Sequence, residues 1–202
     1  MHRATHPPRR WCRAHLICVP PISSVSVPAP PEDARLVERV QLDDETAFRA
    51  LYVRHARYVA GVIYRLLGND SELDDIVQET FVDATQGLKS LEDPSSLRRW
   101  LVVVAVRKVK TLLARRRRRS FFRWSLGQVT PTHSNPSDGQ LIDDLYEALD
   151  DLPAKLRIPW VLSRIADQSL PEVALICGVS LATVKRRIVE ADERLQRRID
   201  VE

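Results

Sequence analysis

Residues 170–198 read LPEVALICGVSLATVKRRIVEADERLQRR, and this stretch limits what the chain can fold into more than any other. It divides into a short apolar segment, the turn Gly178-Val179-Ser180, and a longer segment that Ser180 is placed to cap. In the longer segment Val184, Ile188, Ala191, Leu195 and Ile199 recur at spacings of three and four, so a helix gathers them into one buried stripe. Thr183, Lys185, Arg186, Arg187 and Arg194 fall off that stripe and face outward. Two helices joined by a tight glycine-containing turn, the second basic on its exposed side, make a helix-turn-helix, which lays its second helix in the DNA major groove. A plain helical hairpin with a solvated charged face is the competing reading.

The charge of the whole chain is modest, +4 over 202 residues, but its placement is uneven. From Pro94 to Pro136 there is no Asp or Glu, while Arg98, Arg99, Arg107, Lys108, Lys110, Arg115 to Arg119 and Arg123 all lie there. Between Asp70 and Asp93 acids dominate and Lys89 is the one base; Asp143, Asp144, Glu147, Asp150 and Asp151 form a second acidic patch. A basic stretch of this kind suits a polyanion, because neutralised phosphates release their counterions. The alternative is a solvated charge run with no partner.

The expected fold is all-α, with seven or so helices in two small helical domains joined by a flexible linker, the C-terminal one a helix-turn-helix. Residues 1–32, rich in Pro, are expected to be a disordered extension. Residues 33–122 form the first domain. Residues 33–67 read as helical, with Phe48, Leu51, Tyr52, His55, Val59, Val62, Ile63 and Leu66 as a stripe that stops at Gly68. Ser71 is a candidate cap for the next helix, with Asp74 at the capping-box position. A third helix is expected from Leu97 to about Arg117, residues 123–140 form the linker, and residues 141–202 the second domain. Pro159 should bend its helix or delay its start.

Other chemistries have little support. Cys12, Cys18 and Cys177 are too few and scattered for a disulfide framework. Cys12, His15 and Cys18 have a spacing that could ligate zinc, but apolar anchors and a supporting shell are missing, so no metal and no cofactor is expected. No catalytic constellation is present, and the chain reads as a non-enzyme. Residues 101–106 are apolar but short and flanked by Arg, and Pro20-Pro21 interrupts the only leader-like run, so a cytoplasmic protein without membrane insertion is expected.

The order of the pieces is the most specific signal. An acidic helix DDIVQETFVDA, then WLVVVAVRKVKTLLARRRRR, a linker, and LDDLPAKLR leading into the helix-turn-helix together resemble a bacterial RNA polymerase sigma factor of the extracytoplasmic-function group of the sigma-70 family. The resemblance spans roughly residues 42–198. It implies that Asp74, Asp75, Gln78 and Glu79 dock on core RNA polymerase. It also implies that Ser180, Thr183, Lys185, Arg186 and Arg187 read a −35 promoter element. Trp100, Arg107, Lys108, Lys110 and Arg115 would serve the −10 element, although Trp100 is equally readable as a core residue. Promoter DNA, core polymerase and an anti-sigma factor are the implied partners. Seven positions after Trp100 the family usually has Asn where this chain has Arg107, and a guanidinium lacks an amide's acceptor. The runner-up is a stand-alone helix-turn-helix regulator that does not bind polymerase.

Overall fold

The computed structural model describes residues 31–125 and 140–199, and these hold eight α-helices and no strand. They are α1 (Pro31–Gln41), α2 (Glu45–Leu67), α3 (Leu73–Gly87), α4 (Leu97–Ser125), α5 (Gln140–Asp150), α6 (Ala154–Arg164), α7 (Leu170–Cys177) and α8 (Leu181–Ile199). Short 3-10 turns at Leu88–Ser90 and Pro94–Ser96 lead from α3 into α4. The all-α class and the two helical units read from the sequence are what is observed, α1–α4 forming one unit and α5–α8 the other. The Pro-rich extension, its Cys12-His15-Cys18 spacing and most of the linker lie outside the described residues.

Local chemistry sets most boundaries. The helical stretch at 33–67 is in fact two helices, because Asp43 adopts φ 63° and ends α1. Asp44 then starts α2 by accepting from the backbone N–H groups of Thr46 at 2.8 Å and Ala47 at 3.1 Å. Hydrogen bonds from Thr46 and Arg39 hold the Asp44 carboxyl well below the usual carboxylate range. The Asp43-Asp44-Glu45-Thr46 run was the signal that could have revealed this break. At the other end of α2, Gly68 is left-handed at φ 76° and its N–H closes on Tyr64 O at 2.7 Å, the stop expected of that glycine.

Three local expectations need correction. Ser71 does not cap α3: Glu72 occupies that position without a side-chain cap bond, and Ser71 Oγ donates to Asn69 Oδ1 at 2.7 Å. Asn69 Oδ1 also accepts from the Ser71 N–H at 3.3 Å, so an Asx turn stands where the capping box was expected. α4 does not stop near Arg117 but continues to Ser125, since nothing in residues 117–125 breaks a helix. Pro159 sits buried inside α6, which begins immediately after Pro153, so it does not delay the helix. Pro159 is among the buried residues of α6, with Leu156, Ile158 and Leu162.

Periodicity did not foretell how closely the two units sit. One apolar core runs through both, with α6 and α7 packed on α4 and α6 also on α2. That explains why α4 is buried on more than half its circumference. Leu101, Val104 and Ala105 belong to one face, and Val102, Val106, Val109 and Leu113 continue it round the helix.

Candidate nucleic-acid interface

The second unit builds its reading helix from local signals. Ser169 and Glu172 form a capping box at the start of α7, and the Ser-x-x-Glu spacing is its sequence signal. Gly178, left-handed at φ 64°, ends α7. Ser180 Oγ accepts from the Thr183 N–H at 3.2 Å and starts α8, and its hydroxyl also meets Thr183 Oγ1 at 2.9 Å. Ser180 and Thr183 therefore shape the first turn of the helix. Val184, Ile188, Ala191 and Leu195 are buried as the stripe demanded. Asp192 is clamped by Trp160 Nε1 at 2.6 Å and Arg164 at 3.0 Å, which fixes α8 on α6.

What remains outside is basic. Lys185 and Arg186 are exposed and carry no ion pair among the described residues, whereas Arg194 is held by Glu190 at 2.8 Å. Arg187 is half-buried toward the turn, where its charge reaches Cys177. Burial pushes the Cys177 thiol up to about 11, so it stays protonated and unreactive near neutral pH.

The first unit divides the other named residues into two groups. Arg107, Lys110 and Arg115 stand exposed on α4 without an ion pair among the described residues. Lys108 does not join them. Its side chain is 25 % exposed and its Nζ lies 2.7 Å from Asp83 and 3.7 Å from Glu79, across the groove to α3. Arg116 also turns back, pairing with Glu72 and reaching Ser71 Oγ at 3.2 Å, so it anchors the arginine run. Trp100 is half-buried with its ring on Gly87, where an added Cβ would come within 2.5 Å of it. Beside it, Arg98 stacks its guanidinium 3.8 Å over the Tyr58 ring.

On α3, Ile76, Val77 and Phe81 face the core while Asp74, Asp75, Gln78 and Glu79 are all exposed. Phe81 is fixed edge-on against Tyr52, ring centroids 4.8 Å apart. A shallow groove lined by Asp75, Gln78, Glu79, Val82 and Asp83 runs along the outer side, with Val82 an exposed apolar residue among acids. Among the described residues no group of His, Cys, Asp and Glu has the arrangement of a metal site, and no helix is long and apolar enough to cross a membrane.

A helical chain with unpaired basic rows on α4 and α8 and an acidic row on α3 has the form of a DNA-binding protein that also carries a face for an oppositely charged protein. Comparison with known proteins defines it further. Residues 51–119 match the family described as Sigma-70 region 2, and residues 142–195 match Sigma-70, region 4. The chain is 30% identical over 180 residues to the ECF RNA polymerase sigma-E factors of Salmonella typhimurium (strain LT2) and Escherichia coli (strain K12), covering 83% of this chain and 94% of each relative. The fold is similar to that of CnrH in its complex with the cytosolic domain of CnrY, at 25% identity and TM-score 0.58 over 85% of this chain and 99% of that one. It is also similar to RpoE bound to the anti-sigma factor NepR from Bartonella quintana, at 25% identity and TM-score 0.54 over 77% and 98%. The chain belongs to the sigma-70 family, in its extracytoplasmic-function group, and is a sigma factor that directs transcription.

Proposed function

We propose that this sigma factor joins core RNA polymerase through the exposed α3 row Asp74, Asp75, Gln78 and Glu79. In this reading Lys185, Arg186 and Arg187 of α8 contact the −35 element, and Arg107, Lys110 and Arg115 of α4 contact the −10 region. The observation that carries it is a pair of exposed rows of opposite sign: Asp74 and Asp75 on α3 and Lys185 and Arg186 on α8 have no ion pair among the described residues, and only Glu79 is engaged, by Lys108. An unpaired basic row at the start of a capped second helix is what major-groove entry requires. Lys108 serves a different purpose, balancing Glu79 and Asp83 and so holding the docking face on α4. Ser180 and Thr183 set the angle at which the row is presented.

Arg107 should favour phosphate or guanine, whose paired acceptors suit a guanidinium, over the adenine that Asn would select. An anti-sigma factor that covers these faces is a further proposed partner, supported by the complexes in which the two similar structures were solved. The site of action is the cytoplasm, where polymerase and promoters are found. The test is reconstitution: purified protein, bacterial core polymerase and a library of promoter fragments should give transcripts with defined starts that neither protein gives alone. DNA binding without transcripts would favour the stand-alone regulator.

A further inference from the structure

The outer face of α3 offers more negative charge than α4 neutralises. Asp75, Glu79 and Asp83 follow one another at intervals of four, so they stand in line on one face over ~12 Å of helix. With Gln78 and Val82 they line the shallow groove described above, and Val82 is 59% exposed in the midst of the acids. Among the described residues only Lys108 forms an ion pair with these acids, at 2.7 Å from Asp83 and 3.7 Å from Glu79. The groove therefore keeps a net negative charge and an uncovered apolar side chain.

Residues 1–30 carry the complementary pattern. They hold Arg3, Arg9, Arg10 and Arg13 and no Asp or Glu. Arg9, Trp11 and Arg13 fall at every second position, so in an extended conformation they share one side, the arginines ~13 Å apart with the indole between them. That matches the length of the Asp75–Asp83 line, with Val82 inside it. We propose that the segment around Arg9, Trp11 and Arg13 docks in the α3 groove of its own chain, pairing with Asp75, Glu79 and Asp83 and covering Val82. The segment joins the fold at Pro31, the first residue of α1. At the far end of that helix Gln41 Nε2 donates to Leu88 O at 3.2 Å and Leu91 O at 3.0 Å, immediately beyond α3. The roughly 18 residues from Arg13 to Pro31 can span ~60 Å, about twice the diameter of a small domain, so the tether reaches the groove. Tethering gives an effective concentration of ~mM, and Pro7, Pro8, Pro20 and Pro21 already restrict the chain, which lowers the cost of ordering it. The consequence rests on the reading above, in which core polymerase docks on the same row. The docked segment then competes with polymerase for α3, and polymerase binds by displacing it.

The test uses the full chain with the photo-crosslinking residue p-benzoylphenylalanine in place of Trp11. Irradiation at low salt should give a crosslink within one chain to residues 75–83. It should disappear when Arg9→Gln and Arg13→Gln are combined, and in 1 M salt, where charges are screened beyond about 3 Å. Crosslinks only to other parts of the chain, to a second copy or to added promoter DNA would overturn the docking. Arg9→Gln with Arg13→Gln, and separately removal of residues 1–30, leave residues 31–199 unchanged and should each tighten binding to core polymerase several-fold at low salt. Equal or weaker binding would overturn the competition. Asp75→Lys with Glu79→Lys separates that failure from a failure of the polymerase reading. If core binds this double variant as it binds the parent, polymerase docks elsewhere, and the crosslink still decides whether the segment occupies α3.

Discussion

Two glycines with nearly the same backbone allow the contact between the units to be weighed. Gly178 has φ 64° and nothing within 4 Å of where a Cβ would stand; Gly68 has φ 76°, and its Cβ would lie 2.2 Å from Tyr146 Cδ1 and 2.4 Å from Cγ. Gly178→Ala should therefore carry only the left-handed penalty of an L residue, about 1–2 kcal/mol. For a chain of this size that lowers the melting temperature by roughly 2–8 °C. Gly68→Ala carries the same penalty plus an overlap that forces the ring out of place and breaks its 3.0 Å bond to Arg65 O. Overpacking of that kind adds about 1–3 kcal/mol, for a total of about 2–5. In a Tyr146→Ala background the overlap is gone, and Gly68→Ala should return to about 1–2 kcal/mol, the strain alone. Urea melts of the four proteins in that cycle, with Gly178→Ala as reference, give the coupling directly. The reasoning fails if Gly68→Ala costs no more than Gly178→Ala, or if its cost is the same with and without the Tyr146 ring.

Other consequences can be checked separately. Arg186→Ala should weaken specific duplex binding by about 1–3 kcal/mol if a base contact is lost, measured by anisotropy against a random duplex; equal loss on both would mean a phosphate contact. Charge reversal at Asp75 and Glu79 together should abolish co-purification with core polymerase while circular dichroism stays unchanged. Arg107→Asn should alter base preference at one −10 position in a promoter library, and a uniform loss of yield would point to phosphate binding. Burial, partly opposed by Asp33 at 3.3 Å, holds His55 below its ordinary value of 6.5. The unfolded chain then binds the proton more readily, so this contribution to stability is full above pH 6.5 and is lost as pH falls below it. A His55→Gln protein should show a flatter urea midpoint between neutral and mildly acidic pH.

Much of this protein is legible along the chain because helices are built from near neighbours. The α8 stripe from Val184 to Leu195, the Ser180 cap, the Gly68 and Gly178 stops and the exposed acids of α3 all follow from spacings of two to four residues, and the structure holds each of them. The order of those pieces was enough to place the chain in its family. The break at Asp43 and the capping box of Ser169 are equally local, but apolar periodicity, which runs through both, does not mark them. Another group of facts has no local signature. Lys108 stands one residue from Arg107 in a uniformly basic stretch, yet the α3 acids that claim it are 25 to 29 residues earlier. Trp100 rests on Gly87, and Arg157, an ordinary charge in a sequence, is buried on carbonyls 90 and 91 residues away. A charged side chain's fate depends on which partners the packing brings within about 3 Å, and that distance is set by how helices stack rather than by their order. The sequence alone therefore determined the helices and the faces they offer, and the tertiary structure decided which charges stay free to bind and which hold the two halves together.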